Sequence, residues 1–379
     1  MKACFNCGLE TVSGLGLCAG CGADLSDVEQ SGAQTVSSAS PAQGDNSSSG
    51  SPSLRRKSLN IRILEWCLVL FALSQSGVVY LGYWLYRTRG SLPPAYSWEG
   101  SEWMHYIWRN VCPLGILGYV LFRNSKWCPS HGSHPPDRDN AVPRPARSQV
   151  TKLRIVELAL VLMVAFGGSI LRSFEVLLGY ETLPSEPVKS RVVWLVYGIL
   201  SNGAALGLLR YVLDRSSRTF RELGLHWTSR DVAVALPLAL GAGLASRLLH
   251  PITFAVAEMQ GGHRTPVADI SKYLFGSSVT MAAVLGAIVV GFFEELIVRG
   301  YLMTEVKRLT GSMAVALICS VAVQVSYHFY QGGPEALALA GGFLAFAGYY
   351  AKTNRLLPPV LAHIALDLDS LIMYALRAT

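Results

Sequence analysis

Beyond residue 58 the chain alternates between long apolar segments and short polar ones. A membrane-spanning helix needs about 20 mainly apolar residues. Nine segments approach this length, near 62–86, 104–123, 153–179, 192–213, 231–250, 277–303, 312–330, 335–351 and 356–376. The second segment is the weakest, because Arg109, Asn110 and Pro113 interrupt it. The pattern predicts an all-α polytopic membrane protein with about eight or nine transmembrane helices.

The composition supports the same class of protein. Hydrophobic residues make up 51% of the chain and charged residues 15%, whereas about a quarter of the residues in a soluble protein are charged. No secretory signal peptide is expected, since the first long apolar segment begins only near Ile61.

The basic residues are distributed unevenly between the loops. Twenty Lys and Arg residues lie on the side of the N-terminus and seven on the opposite side. Loops rich in Lys and Arg stay in the cytoplasm, so a cytoplasmic N-terminus and an external C-terminus are predicted. The net charge of +7 is then explained by topology, and no nucleic-acid partner is expected.

Two C-x-x-C pairs, each followed by glycine, stand at the N-terminus: Cys4 with Cys7 and Cys18 with Cys21. Two such knuckles can present four thiolates to a zinc ion; two disulfides or redox dithiols are the alternative. An intracellular segment stays reduced, so we expect a cytoplasmic zinc ribbon over residues 1–25 with one structural zinc. The segment resembles the small zinc ribbons at the head of many prokaryotic chains.

The remaining chain divides into three parts. Residues 26–58 are rich in Ser, Gly, Ala and Pro and cannot form a core, which predicts a flexible linker. Residues 59–222 are expected to form N-terminal transmembrane helices. Residues 223–379 hold the candidate chemistry.

The stretch GFFEELIVRGYL places Glu294, Glu295 and Arg299 inside an apolar run. A charge near the bilayer centre costs at least about 3 kcal/mol, so these residues need a compensating role. Glu295 and Arg299 are four residues apart and can pair along one helix face. A buried structural ion pair is the alternative to a catalytic role for this pair.

Two later segments add histidines. His328 ends one apolar segment, and the last one carries His363 with Asp367 four residues on. A hairpin turn around Gly311 is predicted, and it lies seventeen residues from both Glu294 and His328. An antiparallel helix pair would therefore place these two side chains at matching depth.

Together these residues form a recognisable set. EELIVR matches an E-E-x-x-x-R motif, His328 matches the histidine of an F-x-x-x-H motif, and HIALD matches H-x-x-x-(N/D). In this order, on successive helices, the motifs resemble the CPBP (CAAX protease and bacteriocin-processing) family of intramembrane proteases. The resemblance covers about 223–375, so 223–379 is expected to be a CPBP-like protease core. Gln324 stands where the second motif has Phe, a departure expected to affect substrate fit more than chemistry.

The resemblance implies peptide-bond hydrolysis. Glu294, with His328, would activate a water molecule, and His363, with Asp367, would stabilise the oxyanion. The substrate would be a membrane-associated protein or peptide, prenylated or not.

The resemblance also bears on the other members of the set. Glu295 and Arg299 would stabilise the helix and balance the local charge. Glutamate and histidine can also bind a catalytic metal, but similarity to the eukaryotic prenyl-protein proteases favours a metal-free glutamate mechanism.

Other functions remain open. A non-catalytic scaffold or bacteriocin-immunity-type protein that binds a partner could retain the same residues. An ion-coupled transporter is less favoured, because no repeat of broken helices is visible. The ribbon is expected to bind a cytoplasmic protein partner, and a prokaryotic plasma membrane is the expected location.

Overall fold

The computed structural model describes residues 2–3, 10–11, 61–72, 102–124, 147–177, 191–259 and 280–378. The chain separates into two compact units, Met1–Arg56 and Lys57–Thr379.

The first unit contains one short pair of strands. Strand β1 (Lys2–Ala3) pairs antiparallel with β2 (Glu10–Thr11). The pair brackets the first C-x-x-C motif in the sequence. All four predicted zinc ligands (Cys4, Cys7, Cys18 and Cys21) and the predicted linker lie outside the described residues, so the ribbon and the linker stay predictions.

The second unit is helical throughout its described part. Helix α1 covers the described residues 61–72. The following helices are α2 (Glu102–Asn124), α3 (Arg147–Leu177), α4 (Arg191–Arg215), α5 (Arg230–Met259), α6 (Met281–Thr310), α7 (Met313–Ser326), α8 (Gly333–Thr353) and α9 (Leu357–Ala378). Short 3-10 turns, Phe220–Leu223 and Phe329–Gln331, precede α5 and α8.

Four of the described helices are long and apolar enough to cross a membrane. These segments are Val150–Leu177, Arg230–Met259, Met281–Thr310 and Leu357–Arg377. They fit the predicted all-α integral membrane protein. The count of eight or nine spans and the orientation stay predictions.

Helix α6 changes its winding in the middle. Its first part ends at Glu295, the residues Leu296–Leu302 form a π-helical turn, and α-helical winding resumes at Met303. All seven π-helical residues are buried. A π-turn shifts the faces on which later side chains lie and often occurs at functional sites.

The predicted hairpin after α6 is confirmed. Gly311 ends α6 in the left-handed conformation, with φ of 75°. Ser312 then caps α7, since its side chain accepts a hydrogen bond from the Val315 amide. Glycine adopts this backbone conformation without the steric cost of a Cβ, so the turn can be tight.

Small residues bring the helices of the second unit close together. A Cβ added to Gly291 of α6 would lie 2.9 Å from the Ile364 side chain of α9. A Cβ added to Gly341 of α8 would lie 2.7 Å from the Ala245 carbonyl of α5. Glycine lets the backbones of two helices approach closely. This packing matters in a membrane, because burial of apolar side chains contributes little to helix association there. The two glycines thus help to fix the spacing of α6, α8 and α9 around the motif residues.

Candidate active site

Glu294 is buried near the end of the first part of α6, with 9% of its surface exposed. Its Oε2 atom accepts hydrogen bonds from the Tyr327 hydroxyl at 2.7 Å and from Gln324 Nε2 at 3.2 Å. Both donors come from α7 and the residue that ends it. These contacts confirm the predicted register of the hairpin.

His328 lies two residues beyond the end of α7. Its Nδ1 lies 2.7 Å from the backbone carbonyl oxygen of Gln324. A carbonyl can only accept a hydrogen bond, so Nδ1 carries a proton and Nε2 is the nitrogen that can exchange one. The rings of Tyr327 and Phe343 pack around this imidazole.

His363 lies between two carboxylates. Its Nδ1 is 2.9 Å from Glu295 Oε1, and its Nε2 is 3.8 Å from Asp367 Oδ2. The spacing of four residues predicts a contact between His363 and Asp367, but the shorter contact of His363 is with Glu295. A ring with a carboxylate near each nitrogen can carry a proton on both.

Arg299 is fully buried within the π-helical turn. Its Nε lies 3.3 Å from Glu295 Oε2, so these residues form the ion pair that their spacing predicts. Its Nη2 also donates to the Phe343 carbonyl oxygen of α8 at 3.2 Å, and the guanidinium lies over the Phe343 ring. Arg299 therefore connects α6 to α8 while it compensates the buried Glu295.

The six predicted residues meet in one region. Glu294 is held by the residues just before His328. The neighbouring Glu295 contacts both Arg299 and His363, and His363 lies beside Asp367. Their catalytic roles stay predictions. Within the described ranges, no group of three or more His, Cys, Asp and Glu side chains is arranged to hold a metal ion.

Two residues that contact Glu294 lie outside the predicted set. Gln324 is a departure from its motif, and Tyr327 belongs to none of the three motifs. Both donate to Glu294. Their positions in the sequence indicate these contacts. Gln324 and Tyr327 lie one turn and one residue before His328, so the hairpin that aligns His328 with Glu294 also brings them to that carboxylate.

Helix α3 packs against this site from the N-terminal part of the second unit. The Phe166 ring is stacked on Tyr327, with centroids 4.4 Å apart and planes at 3°. It also meets Phe293 edge-on at 5.6 Å. Ser173 accepts a hydrogen bond from the Tyr330 amide at 3.1 Å. The backbone around His328 is thus anchored to α3.

The arrangement combines groups for acid–base chemistry with groups for charge stabilisation. Glu294 and His328 can exchange protons in a largely water-excluded setting. His363 can offer a proton to a developing negative charge, and Glu295 holds its ring in place. A site with these groups suits the addition of water to a carbonyl.

Comparison with known proteins covers part of the chain. Residues 276–368 match the family model described as type II CAAX prenyl endopeptidase Rce1-like. No curated protein and no solved structure matches the chain. The matched segment, about a quarter of the sequence, contains all six predicted site residues. The match supports the resemblance of this segment to the CAAX-type proteases.

Proposed function

We propose that this protein is an intramembrane endopeptidase that hydrolyses a peptide bond in a membrane-associated protein or peptide. The observation that carries the proposal is a buried set of contacts between α6, α7 and α9. Residues adjoining His328 hold Glu294, and His363 contacts the neighbouring Glu295. Buried ionisable residues inside apolar helices are costly and therefore point to function. The family match over 276–368 supports the reaction class.

In the proposed reaction, Glu294 acts as the general base. It takes one proton from a water molecule, with His328 helping to orient that water, and the resulting hydroxide adds to the carbonyl carbon of the peptide bond. The electron pair of the carbonyl double bond moves to oxygen, and the His363 proton stabilises that oxyanion. The C–N bond then breaks as the oxyanion collapses, and Glu294 returns its proton to the leaving amine.

The remaining motif residues act through their neighbours. Glu295 orients His363 through the 2.9 Å contact with Nδ1. Arg299 compensates the charge of Glu295. Asp367, at 3.8 Å from Nε2, favours a proton on that nitrogen. The mechanism needs no metal in this form, and metal assistance remains the competing version.

The N-terminal unit is proposed to serve recognition. Four thiolates at Cys4, Cys7, Cys18 and Cys21 suit a closed structural zinc site, which leaves no open position for catalysis. The ribbon would bind a cytoplasmic protein or present a substrate to the membrane part. This role fits a plasma-membrane protein with a cytoplasmic N-terminus.

The test uses the purified full chain in detergent micelles. The probes are two internally quenched peptides of identical sequence that end in Cys-aliphatic-aliphatic-X, one farnesylated and one not. We expect turnover by the wild type and a loss of about 100-fold to 10,000-fold in Glu294→Gln, the range for removing a general base. Glu335→Gln removes a carboxylate elsewhere, where Glu335 contacts His250, and should retain activity.

The outcomes separate the competing functions. Turnover that persists in Glu294→Gln would contradict the proposed base. Absence of turnover for both peptides in a folded wild type would favour the scaffold or immunity-type protein. Preference for the farnesylated peptide would identify a prenyl-dependent substrate class.

A further inference from the structure

We propose that Tyr327 and Gln324 are positioning residues for the Glu294 carboxylate, and that Phe166 of α3 supports them. The inference rests on the proposed function and adds residues that the motifs do not contain. It also gives the N-terminal helices a part in catalysis, since α3 lies outside the segment that matches the family model.

Tyr327 supplies the shorter of the two contacts. Its hydroxyl donates to Glu294 Oε2 at 2.7 Å, and its side chain is buried at 3% exposure. A hydrogen bond to an ionised acceptor is stronger than one between neutral groups. In a site with little water, this donor restricts rotation of the carboxylate.

Gln324 supplies the second contact to the same oxygen. Its Nε2 lies 3.2 Å from Glu294 Oε2, and the residue is fully buried. A carboxylate accepts and does not donate, so the amide nitrogen must face it. Phenylalanine, the residue of the resembled motif, has no donor, so this contact is specific to the glutamine here.

The two donors bind one oxygen and leave the other free for chemistry. Glu294 Oε2 is held by Tyr327 and Gln324, so Oε1 is the atom that takes the proton from water. The backbone carbonyl of Gln324 also fixes Nδ1–H of His328 at 2.7 Å. One turn of α7 therefore sets both the carboxylate and the tautomer of the histidine.

Phe166 holds the tyrosine ring in place. The two rings are nearly parallel, at 3° and 4.4 Å, and Phe166 also contacts Phe293, the residue before Glu294. Aromatic contacts of this kind have defined geometry as well as buried area. A change at Phe166 should therefore act on the chemistry mainly through the position of the Tyr327 hydroxyl.

The test measures kcat and KM for the quenched peptide that the wild type cleaves. Tyr327→Phe keeps the ring and removes the hydroxyl, and Gln324→Leu keeps the approximate shape and removes the amide. We expect each variant to lower kcat about 10-fold to 100-fold, the effect of one hydrogen bond to a charged group. KM should stay within about twofold, because neither residue is proposed to touch the substrate.

Matched controls separate positioning from general damage. Tyr119→Phe removes a hydroxyl that donates to a different buried glutamate, Glu157, and it should keep kcat. Phe166→Leu should lower kcat, but only slightly in a Tyr327→Phe background. Phe174→Leu changes a phenylalanine on the same helix that is 53% exposed, and it should have no effect.

The results distinguish a failure of the inference from a failure of the proposed function. If the wild type and Glu294→Gln are equally inactive, the proposed function fails. If the wild type is active and both Tyr327→Phe and Gln324→Leu keep wild-type kcat, the positioning role is refuted. Equal losses in Phe166→Leu with and without the Tyr327 hydroxyl would refute the action of Phe166 through Tyr327. A change in KM alone would assign these residues to substrate binding and overturn the inference.

Discussion

Replacing Arg299 with Met should strongly destabilise the protein. Arg299 and Glu295 both have 0% exposure, and Nε lies 3.3 Å from Oε2. Removing one partner of a buried ion pair costs about 3–5 kcal/mol, because the other charge stays buried without compensation. His363 remains 2.9 Å from Glu295, so we expect the lower end, about 3 kcal/mol.

The assay is the free energy of unfolding of the full chain in mixed micelles, titrated with a denaturing detergent. The double variant Glu295→Gln/Arg299→Met replaces the ion pair with uncharged side chains and should recover about 2 kcal/mol of the loss. Activity should stay low in both variants. The single variant leaves Glu295 without the arginine that compensates its charge, and the double variant loses the carboxylate that orients His363.

A second i,i+4 pair provides the matched control. Arg210 Nε lies 2.9 Å from Asp214 Oδ2, but the Arg210 side chain is 45% exposed. Exposed pairs of this spacing contribute about 0.3–0.5 kcal/mol, so Arg210→Met should change stability by no more than that. The reasoning is refuted if Arg299→Met costs less than about 1 kcal/mol, or if the double variant is no more stable than the single one.

Two further predictions concern helix spacing and the N-terminal unit. Gly291→Ala should lower activity and stability, because the new Cβ would lie 2.9 Å from Ile364 and separate α6 from the helix that carries His363. Gly286→Ala adds a Cβ with nothing within 4 Å and should be neutral or slightly stabilising. Equal effects of the two substitutions in kinetic and unfolding assays would contradict this account. Deleting residues 1–25 should spare turnover of the quenched peptide and remove bound zinc, as measured by metal analysis. It should also alter the set of cellular substrates that are cut. Loss of peptide turnover would contradict a separate recognition role.

The hairpin register could be predicted because it depends on local sequence. Gly311 marks the turn, and equal spacing then fixes which residues of α6 and α7 face each other. The structure confirms this with the contacts from Gln324 and Tyr327 to Glu294. The ion pair of Glu295 and Arg299 follows from spacing in the same way.

The contacts between distant helices could not be predicted in this way. The shorter contact of His363 is with Glu295 of α6, although Asp367 lies on the same helix. That choice depends on how closely α9 approaches α6 at Gly291, which no sequence period reveals. The stacking of Phe166 on Tyr327 likewise depends on tertiary packing across 161 residues of sequence.

The helix count shows another limit. Residues 335–351 are predicted to span the membrane, but α8 is not among the four described helices that are long and apolar enough to do so by length and composition. Its Gly341 and Gly342 pack closely on α5. This packing holds α8 beside α5, and the number of spans stays a prediction.

The central claim is that Glu294 is the base of a peptide hydrolase. The most direct measurement compares membrane-proteome peptide profiles of cells that express the wild type, Glu294→Ala or Glu294→Gln at equal levels. The account predicts at least one membrane protein whose cut product is present with the wild type and missing with both variants. Identical profiles, with all three proteins inserted and folded alike, would contradict it and favour a non-catalytic partner-binding protein.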